Sequence, residues 1–483
     1  MRRGQPVAAL GLLLASATAA WAAGGPSLAP GKITDRVACA KSPDQTYALY
    51  LPSTYTPERK WPVLYVLDPR SRGALGAERF RAGAERFGYV VVSSNNSLSD
   101  GPDSPNIKAF QALWPDSHER LQLDDQRVYG AGFSGTVRSL CFLARAVPGL
   151  FAGIVGAGAG FPFGAPPVKS DRFAFFGAVG NRDFNYYEML ELEGQLRAAA
   201  LAASIEIFDG GHAWPPEAVT ARALAWFELQ AMRSGTLPRD PAEVATLFSE
   251  QVARAAAAEA AARSPYDRVL AQRLWSAAVS DFVGLRDVGE ALRRRIALDT
   301  DPAVQRELKE QAARRERDAA FIEPAPLILA GQRPGSGPNP PPAGARLTVE
   351  QALELLRVGE LQKQAAESPS QDERLSAQRI LNSLRVFAGG YMPQQFFERK
   401  QDAQALFVLR IASVLDPQDA GVAYNRGVAH ARLGDPKNAI AELRRSVALG
   451  WKDGAAMSRD PDLASLRREP DFQALVRSLS APR

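Results

Sequence analysis

"RVYGAGFSGTVR", Arg127 to Arg138, is the stretch on which the fold turns. A short apolar approach, Arg127-Val128-Tyr129, runs into Gly130-Ala131-Gly132-Phe133-Ser134-Gly135 and then into a helix-like run. A strand that turns sharply into a helix holds a serine in a strained conformation with its hydroxyl exposed. Glycines two residues before and two after the serine keep side chains from colliding in that turn. Gly132 meets the first requirement, and Thr136 stands where the second glycine is expected. A β-branched residue there is a steric question, yet it can point outward if the helix starts slightly displaced, with Gly135 relaxing the position between. Taken alone, the same pattern also describes a serine in an ordinary tight turn.

The surroundings decide between the two. From about residue 45 to 233, strand-like and helix-like segments alternate. "TYALYLP", "PVLYVLD", "YVVVSSNN", "RVYGAG", "GLFAGIVGAGAG", "FAFFGAVG" and "SIEIFDGG" read as strands. Between them, "ALGAERFRAGAERFG", "NIKAFQALWPDSHERL", "TVRSLCFLARAV", "NYYEMLELEGQLRAAALA" and "PEAVTARALAWFELQAM" read as helices. Short apolar strands separated by helices predict an α/β domain with a mostly parallel sheet covered on both faces. After about Pro238 the strands stop, and an all-α region follows. The expected organisation is a signal peptide over 1–22, an α/β domain over 40–236 and a helical region over 237–330. A Pro/Gly-rich linker over 331–346 then leads to a second helical domain over 347–483.

A chain of 483 residues is too long for one ordinary domain. The net charge of +5 is small for that length, and basic runs such as Arg293-Arg294-Arg295 lie near acidic residues. This reads as solvated surface and gives no nucleic-acid footprint. The opening "MRRGQPVAALGLLLASATAAWAAGG" has a positive start at Arg2 and Arg3, an apolar stretch from Val7 to Ala20 and a small-x-small site at Ala20-Trp21-Ala22. It reads as a cleaved secretory signal, because the apolar run is shorter than the roughly 18 to 20 residues a membrane span needs. The expected location is therefore periplasmic or secreted, with no membrane span after cleavage. Cys39 and Cys141 are the only cysteines, so they form one disulfide or remain buried thiols.

Serine is a weak nucleophile unless a base takes its proton, and the base needs an acid to fix its tautomer. On this architecture the order is serine, acid, histidine, each at the carboxyl end of a later strand. In "FFGAVGNRDFNYYEM" the strand ends at Gly180 and Asp183 follows on the loop; in "IEIFDGGHAWPP" His212 follows two glycines. Of the three histidines, His118 reads as a surface residue in an insert, and His430 reads as packing within a helix. That leaves His212 as the base. Asp183, on a separate loop, is preferred to Asp209, which lies only three residues before the histidine. The oxyanion hole is expected to use the N–H of Gly135 and one from "DPRSRG". Pro69 has no N–H, so Arg70 is the second candidate donor.

With these residues placed, the chain resembles the α/β-hydrolase superfamily. Within it, the chain is similar to a secreted esterase and polyester-depolymerase-like branch, through Gly132-Phe133-Ser134-Gly135 and Gly210-Gly211-His212-Ala213-Trp214-Pro215. The resemblance covers roughly residues 40 to 233 and implies hydrolysis of carboxylic esters through an acyl-enzyme on Ser134. Thr136 departs from the pattern, which keeps open a scaffold that has lost turnover. A serine peptidase with the same triad is the other alternative.

Trp114, Phe133, Phe161, Phe163, Phe184 and Trp214 are candidates to line an aromatic or apolar substrate pocket. Neither His nor Cys clusters at ligand spacing, so no metal is expected. "GAGAG" at Gly156 to Gly160 is misplaced for a dinucleotide loop, so no cofactor is expected either. In "AYNRGVAHARLGDPKNAIAELRRSVALG" the spacing of Gly427, Gly434, Ala439 and Leu443 resembles a tetratricopeptide repeat. Ala405, Leu409, Ala412 and Pro417 match the second half of a preceding unit. Such repeats stack into surfaces that hold protein partners, or they brace the domain beside them. The expected ligands are thus a small or polymeric ester and a protein partner.

Overall fold

The computed structural model describes residues 28–99, 101, 103–334 and 346–480. The signal-like segment 1–22 and most of the Pro/Gly-rich linker lie outside these residues. The sheet is built from β1 (Ile33–Cys39), β2 (Ser42–Tyr50), β3 (Trp61–Leu67), β4 (Val90–Ser94), β5 (Leu123–Phe133), β6 (Gly153–Ala157), β7 (Ala174–Gly180) and β8 (Ala203–Phe208). Their spatial order is β1-β2-β4-β3-β5-β6-β7-β8. β2 runs antiparallel to β1 and β4, and the remaining pairs are parallel. β1 lies before residue 40, ahead of the stretch in which strands were expected.

The central strands are apolar throughout because both faces are covered. Along β3, successive residues go to opposite sides. Val63, Tyr65 and Leu67 join a core with Leu113, Leu140 and Met189, from α2 (Ser104–Arg120), α3 (Gly135–Ala146) and α4 (Tyr186–Ala198). Leu64 and Val66 join another core with Phe80 and Phe227, from α1 (Gly73–Phe87) and α5 (Glu217–Ser234). This is an α/β-hydrolase fold, with β5 at its centre and its carboxyl end turning into α3.

The chain then becomes helical: α6 (Pro241–Ala261), α7 (Pro265–Ser280), α8 (Gly289–Asp299), α9 (Pro302–Ile322) and α10 (Ala325–Leu329). Beyond the linker come α11 (Val349–Leu355), α12 (Val358–Glu367), α13 (Gln371–Val386), α14 (Met392–Glu398), α15 (Asp402–Leu415), α16 (Ala420–Arg432), α17 (Pro436–Ala448), α18 (Gly454–Arg459) and α19 (Pro470–Ser480). Several begin with a capping side chain followed by proline. Asp240 accepts from the N–H groups of Ala242 and Glu243, Ser264 from Asp267, and Asp301 from Ala303. α16 and α17 pack so closely that a Cβ on Gly427 would lie 2.8 Å from Leu443 Cγ.

The helical region seats on the open edge of the sheet. Arg273 donates to the Ile205 carbonyl of β8 at 3.2 Å and pairs with Glu193 of α4 at 2.9 Å. Arg254 pairs with Glu206 of β8 at 2.8 Å. An edge strand covered this way presents fewer unpaired backbone groups to other chains.

One open alternative is resolved here and one expectation changes. Cys39 and Cys141 are both free and buried, so the disulfide is not formed. Burial pushes the Cys39 thiol up to about 11, which keeps it protonated and unreactive. His118 is half-buried rather than a surface residue, because its ring stacks on Trp114 with centroids 4.1 Å apart.

Candidate active site

β5 ends at Phe133, and α3 begins at Gly135. Between them Ser134 takes φ 56° and ψ −134°, a positive-φ conformation that a non-glycine residue adopts at a cost of about 1–3 kcal/mol. The turn is tight enough that a Cβ on Gly132 would lie 2.8 Å from Val137 N. Ser134 Oγ stands 2.9 Å from His212 Nε2. On the other side of the ring, His212 Nδ1 is 2.9 and 3.0 Å from the two carboxylate oxygens of Asp183. An ionised carboxylate only accepts, so Nδ1 carries the proton and Nε2 faces the serine hydroxyl as acceptor. Asp183 is fully buried, and its Oδ1 also accepts the Asn185 N–H at 2.8 Å. Asp209 is exposed and bonds to Asn181 instead, at 3.1 Å.

Thr136 corrects the expectation that a side chain at its position points outward. It is fully buried, and its hydroxyl works inside the elbow. Oγ1 accepts from the Phe133 N–H at 3.0 Å and donates to the Leu67 carbonyl at 2.7 Å. The hydroxyl therefore clips the elbow to the end of β3.

The Gly135 N–H has no hydrogen-bond acceptor among the described residues, as the first turn of a helix leaves its amides unpaired. It lies at the positive end of the α3 dipole, beside Ser134. Arg70 is a correction. Its N–H donates to Asp68 Oδ1 at 2.9 Å, so the aspartate side chain occupies the amide assigned to the oxyanion hole. Asp68 also holds the Arg72 side chain and accepts Trp214 Nε1–H at 2.8 Å. Burial works to raise the Asp68 pKa, but the hydrogen bonds from Arg72, Trp214 and Arg70 outweigh it and hold the carboxyl below its usual range. Asp68 thus ties the loop after β3 to the loop that carries His212.

The aromatic candidates separate into two groups. Phe133 and Phe184 flank the imidazole, with ring centroids 4.6 and 4.3 Å from that of His212. Trp214 packs behind Phe133 at 5.6 Å and is buried. Trp114 belongs elsewhere, because α2 directs it against Tyr65, Phe110 and His118. Phe161 stacks on Phe173 and lines a cavity of about 730 Å³ with Arg138, Phe163, Tyr187 and Ile322. Neither Ser134 nor His212 lines that cavity.

Three positions went unrecognised in the sequence. Gly158 has φ +62°, and a Cβ there would lie 3.0 Å from Asp183 Oδ2 and 3.1 Å from His212 Nδ1. Its signal was present in "GAGAG", which carries the end of β6 into the loop beside Asp183 and His212. Asn181 joins the acid loop to the histidine loop, accepting the Gly210 N–H at 3.2 Å. Asp68 carried no motif at all. Among the described residues, no three His, Cys, Asp or Glu side chains group as metal ligands, and no helix is long and apolar enough to cross a membrane.

No family model and no curated protein matches the chain. Among solved structures, a ferulic acid esterase is similar at 17% identity and TM-score 0.34, over 41% of this chain and 96% of that one. The S-formylglutathione hydrolase of Staphylococcus aureus is similar at 16% identity and TM-score 0.33, over 41% and 97%. FphF, a fluorophosphonate-binding serine hydrolase of the same organism, is similar at 15% identity and TM-score 0.34, over 41% and 98%.

Proposed function

We propose that the protein is an exported serine hydrolase that cleaves carboxylic esters, small or polymeric, through an acyl-enzyme on Ser134. The observation that carries this reading is the 2.9 Å contact of Ser134 Oγ with His212 Nε2 on a strained elbow, with Asp183 behind the imidazole. His212 Nε2 takes the hydroxyl proton as Oγ attacks the ester carbonyl carbon. The Gly135 N–H stabilises the oxyanion of the tetrahedral intermediate. The protonated imidazole then gives its proton to the departing alcohol oxygen, leaving the acyl group on Oγ. Water, activated by the same nitrogen, attacks the acyl carbon and releases the acid and free serine. Asp183 holds the Nδ1–H throughout and stabilises the imidazolium. Phe133 and Phe184 give the imidazole apolar walls, which suits an apolar or aromatic acyl group.

Purified protein should hydrolyse short p-nitrophenyl esters, and Ser134→Ala should abolish turnover while its unfolding midpoint stays near that of the parent. Equal rates would refute the assignment. A scaffold without turnover was suggested by Thr136, whose hydroxyl is instead bonded within the elbow. Profiling esters against peptides separates the esterase from a peptidase that uses the same three residues. Export is supported by the sequence of residues 1–22. Protein recovered from the periplasm or medium should begin at Ala23, and a retained Met1 would contradict cleavage. The close approach of α16 and α17 at Gly427 supports the tetratricopeptide-like reading and, with it, a protein partner.

A further inference from the structure

Asp183 sits on the loop between β7 and α4, and that loop is held from outside the α/β domain. From α13, Arg379 Nη1 donates to the Asn181 carbonyl at 3.0 Å, and Asn382 Nδ2 donates to the Arg182 carbonyl at 2.7 Å. These are the two residues directly before Asp183. Beyond it, the Tyr187 hydroxyl accepts from Arg379 Nη2 at 3.1 Å and donates to Asp318 Oδ2 at 2.8 Å. The Arg379 guanidinium also lies over the rings of Tyr186 and Tyr187, 4.6 and 5.0 Å from their centroids. Arg379 is only 3% exposed and is paired with Asp372, which Arg314 holds in turn.

Among the described residues, the Asn181 and Arg182 carbonyls accept from no other group. Backbone carbonyls taken out of water need donors, and the α/β domain supplies none here. The donors come from 198 and 200 residues further along the chain. A loop left to itself is mobile, whereas a carboxylate that orients a base has to stay within hydrogen-bond distance of one nitrogen.

We propose that Arg379 and Asn382 are positioning residues: the helical region fixes the loop that presents Asp183 to His212, and the site is competent only with that region seated. The inference rests on the triad reading above. Neither residue touches the reacting atoms; both act through the two consecutive backbone carbonyls that lead into Asp183.

The test uses the full-length chain. Asn382→Asp keeps the side-chain shape and turns an oxygen toward the Arg182 carbonyl. Arg379→Lys keeps the charge opposite Asp372 and loses the planar fork. Arg315→Gln, which removes an ion pair with Glu191 in the same interface, is the control. For the first two, kcat on a p-nitrophenyl ester should fall roughly tenfold or more, because small misplacements of a catalytic group are costly. KM should stay within about twofold. The low-field proton resonance of the His212 Nδ1–H, which reports its bond to Asp183, should shift or broaden in both and stay unchanged in the control. Parental kcat and an unmoved resonance in folded Asn382→Asp would overturn the clamp and leave the hydrolase reading intact. A loss confined to KM would overturn it as well. A parent chain without turnover would refute the hydrolase reading, and the resonance would still decide the clamp. Should Arg379→Lys fail to fold, Asn382→Asp and Asn382→Ala carry the test.

Discussion

Thr136 Oγ1 stands between the Phe133 N–H and the Leu67 carbonyl, and substitutions can separate its hydroxyl from its shape. Thr136→Val keeps the shape and strands a buried donor and a buried acceptor, which should cost roughly 1–3 kcal/mol in denaturant unfolding. Thr136→Ser should stay near the parent. Thr136→Gly restores the usual elbow glycine but should not raise turnover; a faster glycine variant would contradict the clip. At Gly158 the constraint is steric. Gly158→Ala forces a side chain into a left-handed conformation and against Asp183 and His212, so kcat should drop by about tenfold or more. The meeting of Ser134, Asp183 and His212 was legible because the proposed chemistry needs few residue types in one chain order. Arg70 was misread because a side chain two residues away captured its amide, and sequence spacing does not reveal that competition.

Where α5 meets the end of α7, Asp281 lies half-buried with its Oδ1 accepting Trp226 Nε1–H at 3.0 Å. Burial pushes this carboxyl up to about 6, against the opposing pull of the Trp226 hydrogen bond and the Arg233 charge. In the unfolded chain an aspartate titrates at about 3.9. The folded state therefore binds the proton more tightly, and its stabilising contribution is full below about pH 4 and lost as pH rises through about 6. Asp281→Asn keeps an oxygen acceptor for Trp226 and carries no charge. It should be more stable than the parent at pH 7 by up to about 2 kcal/mol, with little difference at pH 4. Denaturant unfolding at the two pH values checks this, and an equal difference at both would contradict it. At this scale β3, β4 and β7 were readable from unbroken apolar runs, since strands buried on both faces leave that trace. β1 was not, because its exposed face carries polar residues and its pairing with β2 comes from tertiary contact. The path of α2 was also hidden, which is why Trp114 was placed near the serine when it packs on Tyr65.

In the whole molecule, an α/β domain and a helical region share partly buried charged contacts along β8 and α4. The alternation of strands and helices, and its end near Pro238, made both parts visible in the sequence. The contacts between them were not visible, since those that Arg379 and Asn382 make have no local signature: Arg379 and Asn181 lie 198 residues apart. In the proposed reading, these parts frame Ser134 as the activated serine among many. Incubation of the folded chain with a fluorophosphonate, followed by mass-spectrometric mapping of the adduct, tests that activation most directly. Modification is expected at Ser134 in the parent, none in Ser134→Ala, and strongly slowed modification in His212→Ala. A folded parent chain that leaves Ser134 unmodified, or that is labelled equally when His212 is removed, would contradict it.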